Sequence, residues 1–180
     1  MRSTQTVRTA ALVAFLLGLA AATAAPVAPA LAYAGPTPAD DPPDFVVVFD
    51  AGTACSGFDL RVEGWNGNQV ISEFKDKAGV VRTLSAGTGS ALRFTNLASG
   101  QTLVTKSDGA VNHTRTYSLD GSSTMALTGH NVVILYPSDI PAGPSTTLYL
   151  GRVVIAIDSA GTFDRQSVSG RQVDVCAAVS

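Results

Sequence analysis

The sequence predicts an all-β domain, and three observations carry that expectation. Phe58, Leu60 and Val62 alternate with Asp59, Arg61 and Glu63, and alternation of period two buries one face of a strand while wetting the other. Short runs of this kind recur along the chain, punctuated by the Gly, Asn and Asp residues that reverse a backbone. After residue 40 no stretch carries apolar residues at i, i+3, i+4 and i+7 over three turns, so no long amphipathic helix competes. The expected architecture is a single-domain β-sandwich or barrel of about ten short antiparallel strands, with jelly-roll and immunoglobulin-like strand orders both open.

Residues 45–49, Phe-Val-Val-Val-Phe, are a β-branched and aromatic run suited to a strand covered on both faces. The alternating strand follows. Asn66-Gly67 then favours the positive φ of a tight hairpin turn, from which residues 69–75 return. Strands at 80–84, 91–96 and 102–106 are separated by glycine-rich turns at Ala78-Gly79, Gly87 to Gly89 and Ser99-Gly100. Strands at 112–119 and 124–127 flank Asp120-Gly121, a second hairpin dipeptide. Residues 132–136 are continuously apolar, and the loop Pro137–Ser145 is placed as a crossover between sheets. The longest strand pattern, 147–158, contains Gly151, which marks a bend or bulge. Residues 172–176 close the domain.

The N-terminus reads as an export signal. Arg2 and Arg8 precede an apolar run over 10–20, and a small-residue box follows at Ala30-Leu31-Ala32 or Ala32-Tyr33-Ala34. The run is shorter than the roughly 20 strongly apolar residues of a spanning helix. Residues 1–34 are therefore expected to be a signal peptide, 35–44 a flexible Pro- and Asp-rich leader, and 45–180 the folded domain of a secreted protein. An uncleaved anchor is the alternative. Removal of Arg2 and Arg8 leaves ten basic against fourteen acidic residues, which argues against nucleic acid or an anionic membrane surface as partner.

Cys55 and Cys176 are the two cysteines, and in an exported chain such a pair reads as one disulfide. The chain-entropy estimate for a closed loop of that length is about 5 kcal/mol. The close spacing of a redox pair is absent.

No motif assigns an activity. There is no G-x-S-x-G elbow, S-x-x-K, H-E-x-x-H or Cys/His grouping, so no catalytic residue, cofactor or metal ligand is named. The candidates are binding residues. Alternation through Val111, His113, Arg115 and Tyr117 puts these four on one strand face, either a polar-aromatic binding face or a plain exposed strand. Trp65 falls in register with the wet residues Asp59, Arg61 and Glu63, as a stacking platform unless a second layer covers it. His130, in a Gly-His-Asn turn signal, is the other base available to a hydrolase. Asn112-His113-Thr114 matches the glycosylation sequon.

Thr53-Ala54-Cys55 with Phe58, Phe94-Thr95-Asn96-Leu97-Ala98-Ser99-Gly100, Leu148-Tyr149-Leu150-Gly151-Arg152-Val153 and Val173-Asp174-Val175-Cys176-Ala177-Ala178 together resemble a set of small secreted actinobacterial proteins. The resemblance implies export, one disulfide and a β fold, and transfers no catalytic or ligand residue. The expected function is a non-catalytic secreted protein that binds a ligand or partner at or outside the cell envelope, as a monomer or weak dimer. The rivals are a secreted hydrolase built from dispersed residues, with His113 or His130 as base, and a protease inhibitor presenting Ser138-Asp139-Ile140-Pro141.

Overall fold

The computed structural model of the chain describes residues 42–106, 108–117 and 120–180. The expected signal peptide and most of the leader lie outside the described residues, as do Ser118 and Leu119 at the expected end of the 112–119 strand. The leader's last residue is held in place: the Asp44 N–H donates to the Gly64 carbonyl at 2.8 Å and its carboxylate accepts the Gly67 N–H at 3.2 Å.

The elements are β1 (Phe45–Phe49), β2 (Leu60–Lys75), β3 (Val81–Asn96), β4 (Thr102–Thr105), β5 (Ala110–Thr116), β6 (Ser123–Leu135), β7 (Ser145–Ile157), β8 (Phe163–Asp174) and the single turn α1 (Val175–Ala178). All eight strands belong to one antiparallel sheet in the order β1-β2-β3-β5-β6-β7-β8, with β4 beside the second half of β3. The chain is thus a meander in which each strand pairs with its sequence neighbour, except that β4 and β5 both pair with β3 and not with each other.

Eight strands replace the expected ten because several residues read as turns lie inside strands. Asn66, at φ 55°, does adopt the left-handed conformation. It bulges β2 instead of reversing it, and the register against β3 shifts between Trp65 and Asn68 while both strands run on. The expected 66–67 hairpin is therefore corrected to a bulge. Gly87 to Gly89 likewise sit within β3, and Gly129-His130 within β6. The real reversal after residue 75 is the turn that Asp76 caps, its carboxylate accepting the N–H groups of Ala78 at 2.9 Å and Val80 at 3.0 Å. The start of β8 at Phe163 carried no clear alternation, and Cys176 lies in α1 rather than a closing strand.

A row of small residues crosses the sheet. Gly87, Ala110, Gly129, Gly151 and Gly170 stand opposite one another in β3, β5, β6, β7 and β8. A Cβ on Gly129 would run into the Gly109 carbonyl, and one on Gly151 into that of Ser169. Backbones approach along this row as no side chain would allow, and Gly129 and Gly170 have positive φ. To one side of the row, the arm β1–β4 and the arm β6–β8 share a core. Leu60 and Val62 of β2 and Phe94 of β3 meet Leu148 of β7, with Leu103 and Ile134 packed against them. The strands form one sheet, and two of its arms share this core, in place of the two-sheet sandwich expected from the sequence. A second cluster joins Leu127, Val133 and Leu135 of β6 to Tyr149, Val153 and Ile155 of β7. Val132-Val133-Ile134-Leu135 is apolar throughout because alternate residues enter different clusters. Each fully buried Phe or Leu contributes about 2–3 kcal/mol.

The Cys55–Cys176 disulfide is present, with Cα atoms 5.6 Å apart. It ties the segment after β1 to α1, which follows β8. Asn96 reinforces this closure: its amide donates to the Val179 carbonyl at 3.1 Å, and its side-chain oxygen accepts the N–H groups of Ala98 and Ser99. Thr146, fully buried, donates its hydroxyl to the Ala54 carbonyl at 3.0 Å.

Two expectations about position are corrected. The loop over 136–144 joins the adjacent strands β6 and β7 and is not a crossover. The strand at 45–49 is not covered on both faces; it is an edge, and Phe45, Val46, Val47 and Val48 are exposed.

Candidate functional site

Trp65 has the register expected of it, on the face of Arg61 and Glu63, yet its side chain is only 3% exposed. The guanidinium of Arg93, from the neighbouring strand, lies 4.9 Å from the ring centroid. Glu63, itself buried, fixes that arginine at 3.7 Å and Arg61 at 2.8 Å. Of the two readings of Trp65, exposed platform or covered ring, the covered ring is the one found, with a cation over it.

Of the four residues expected to share a strand face, Val111, Arg115 and Tyr117 are exposed and His113 is half-buried. Cross-strand pairing sets His113 between Leu84 and Ala126, and Arg115 between Arg82 and Thr124. Leu84, Val111 and Tyr117 are exposed. Arg82 leans toward Asp76 at 3.4 Å. The result is a flat, weakly cationic face with apolar members, and Tyr117 at its end borders a shallow groove of about 340 Å³ shared with Ile140 and Asp164.

The concave site lies elsewhere, at the fork of the sheet. The chain leaves β4 at Thr105 and enters β5 at Ala110, both strands beside β3, so one track along β3 is broken between them. Beyond the break, residues 130–135 of β6 pair only with β7, and a cleft opens between β4 and β6. Gly109, at φ 89°, is the pivot: its N–H donates to the Thr88 carbonyl at 3.1 Å, and its carbonyl accepts the His130 N–H at 2.8 Å. The cleft holds about 220 Å³. Leu92, Val132 and Leu148 give it an apolar side, while Gln69, Thr88, Ser90, Thr105 and Asn131 supply hydrogen-bonding groups. Asp108 lies at its rim, 3.6 Å from the Lys106 ammonium and 4.0 Å from His130 Nδ1. The Gln69 side-chain oxygen is oriented by the Ser85 hydroxyl at 3.0 Å, and the Asn131 amide by the Thr128 carbonyl at 3.0 Å.

Of the residues singled out from the sequence, His113, Arg115 and Tyr117 share one face, Trp65 lies buried apart from them, and His130 enters the cleft. Lys106, Asp108 and Gln69 carried no sequence signal. Their meeting depends on the broken β4–β5 track, and a short polar stretch beside Gly109 reads as an ordinary loop. Among the described residues no three His, Cys, Asp or Glu side chains converge on a point, and no helix is long and apolar enough to cross a membrane. Comparison with known protein families, characterised proteins and solved structures finds no match.

Proposed function

We propose an exported, non-catalytic binding protein that takes a small hydrogen-bonding molecule, of sugar or amino-acid size, in the cleft at the fork. The observation that carries this reading is the convergence of Lys106, Asp108 and His130 at the rim of a concavity with one apolar side. Such a mixture of apolar wall and few placed polar groups is the usual make-up of a ligand site. Export rests on the N-terminal pattern, and the disulfide accords with it. In the same reading, the outward row His113, Arg115 and Tyr117 meets a larger partner, and Trp65 serves by supporting Arg93.

The test is a thermal-shift and calorimetric screen against monosaccharides, short cell-wall oligosaccharides and amino acids. A ligand at a hundredfold its dissociation constant stabilises by about 2.7 kcal/mol, a shift of a few degrees for this size of domain. The shift should vanish in Asp108→Ala and persist in Arg115→Ala. If no compound of these classes shifts the transition, the cleft is not such a site.

The hydrolase reading gains one observation: Ser90, His130 and Asp108, a nucleophile type, a base and an acid, border the same cleft. Asp108 lies nearer to Lys106 than to His130, which favours binding over relay. Turnover of an ester or glycoside that is lost in both Ser90→Ala and His130→Ala would decide for catalysis. The inhibitor reading loses support, because an inhibitory loop must leave its backbone free for the protease. The N–H of Ile140 already donates to Phe163, and its carbonyl accepts from Arg165.

A further inference from the structure

The edge at β1 carries chemistry that neither the cleft nor the outward row uses. Phe45, Val46, Val47 and Val48 are 42%, 46%, 41% and 50% exposed, and β1 pairs only with β2. An open apolar edge is a template for one more strand, and folded proteins normally blunt it with charge, proline or cover. Here the charge stands only at the ends. Asp44 precedes the strand and Asp50 follows it, both exposed, and Asp40 and Asp41 come shortly before in the sequence.

Those acids discriminate between occupants. The run Phe-Val-Val-Val-Phe reads the same in both directions, so a second copy pairing antiparallel about Val47 would match Phe45 with Phe49 and Val46 with Val48. The same register sets Asp44 against Asp50 at both ends, and like charges directly opposite are destabilising. A strand with Lys or Arg at its ends meets the two acids favourably in either orientation. We propose that the β1 edge docks an extended apolar segment of a partner protein, about as long as β1 itself and flanked by basic residues, which adds to the sheet as its next strand. Main-chain hydrogen bonds would supply the affinity, and the acidic ends the selection.

The test uses the intact, disulfide-bonded protein and three capped peptides: Lys-Lys-Val-Phe-Val-Phe-Val-Lys-Lys, its Glu-flanked counterpart, and a Lys-flanked version with proline at the centre. The first should bind, seen by calorimetry and by shifts of the β1 amide resonances. The Glu-flanked peptide should bind about tenfold more weakly or not at all, and the proline peptide, lacking a ladder N–H, should fail. Asp50→Lys should weaken the Lys-flanked peptide similarly. It should also promote self-association in sedimentation runs, because each Asp44 would then face a lysine across the two-fold axis. Equal binding of the Lys- and Glu-flanked peptides would overturn the proposal in favour of unselective apolar adhesion. A wild-type dimer through β1 would overturn it in favour of a second copy. Slow exchange of the outer β1 amides before any peptide is added would overturn it in favour of cover by the chain's own N-terminal residues.

Discussion

At one edge of the sheet β1 presents Phe45, Val46, Val47 and Val48; at the other β8 presents Gln166, Ser167, Ser169, Arg171 and Gln172, all exposed. The β8 edge is also covered where it begins. The loop over 136–144 lies along it, with the Ile140 N–H donating to the Phe163 carbonyl at 2.8 Å and the Ile140 carbonyl accepting the Arg165 N–H at 2.7 Å. Asp139 anchors that strap: one carboxylate oxygen accepts the Phe163 N–H at 2.9 Å, the other the Tyr136 N–H at 2.6 Å, and the residue is 5% exposed. Both common means of blunting an edge, polar composition and a covering segment, are therefore in use at β8. At β1 neither is present among the described residues, and the docking proposed there rests on that contrast.

The largest effect should come from cutting the link between the two edge segments. Cys55→Ala with Cys176→Ala should lose about 4–5 kcal/mol by the chain-entropy estimate, measured by denaturant unfolding, and wild type under reductant should approach the variant. Next comes the strap. Asp139→Ala removes the acceptor of two part-buried N–H donors and should cost about 1–2 kcal/mol, with faster hydrogen exchange at Phe163 and unchanged exchange in β1. If exchange rises equally at both edges, the strap is not specific to β8. Val47→Lys, by contrast, changes an exposed side chain and should alter stability by about 0.5 kcal/mol or less. It should still raise solubility, since it charges the open edge.

The smallest effect is acidic. The Val80 N–H, with that of Ala78 and the guanidinium of Arg82, holds the Asp76 carboxyl below its ordinary 3.8, against an opposing contribution from desolvation. The Ser122 hydroxyl and N–H do the same for Asp120. Since the folded-state values lie below the unfolded ones, these contributions are present above pH 3.8 and fade as pH falls through the depressed values. Asp76→Asn and Asp120→Asn should therefore be slightly less stable than wild type at neutral pH, and the difference should close in acid. An unchanged difference at low pH would remove the carboxylates as its cause.

Much of this fold was legible in the residues. Alternation placed Leu60 and Val62 inward, as their cluster shows, and set His113 and Arg115 two apart along β5. Cys55 and Cys176 named their own partner in a chain with no other cysteine. The errors share a cause. Asn66-Gly67 and Gly129 announced unusual backbone correctly, but a positive φ suits a bulge or a fold in the sheet as well as a turn. For Trp65 the sequence left platform and covered ring both open, because Arg93 lies 28 residues away in sequence and reaches it only through the β2–β3 register.

By itself the sequence determined the period of the strands, the disulfide and the inward direction of Leu60 and Val62 in the clearest alternating run, all of which are local or combinatorially unique. Tertiary structure alone decided which strands are edges, where the sheet breaks to open a cleft, and which polar residues meet there. Those outcomes depend on the pairing of segments far apart in the chain. A valine run has the same local preference at the centre of a sheet as at its rim, so only the finished ladder shows that nothing in the described chain pairs with the far side of β1.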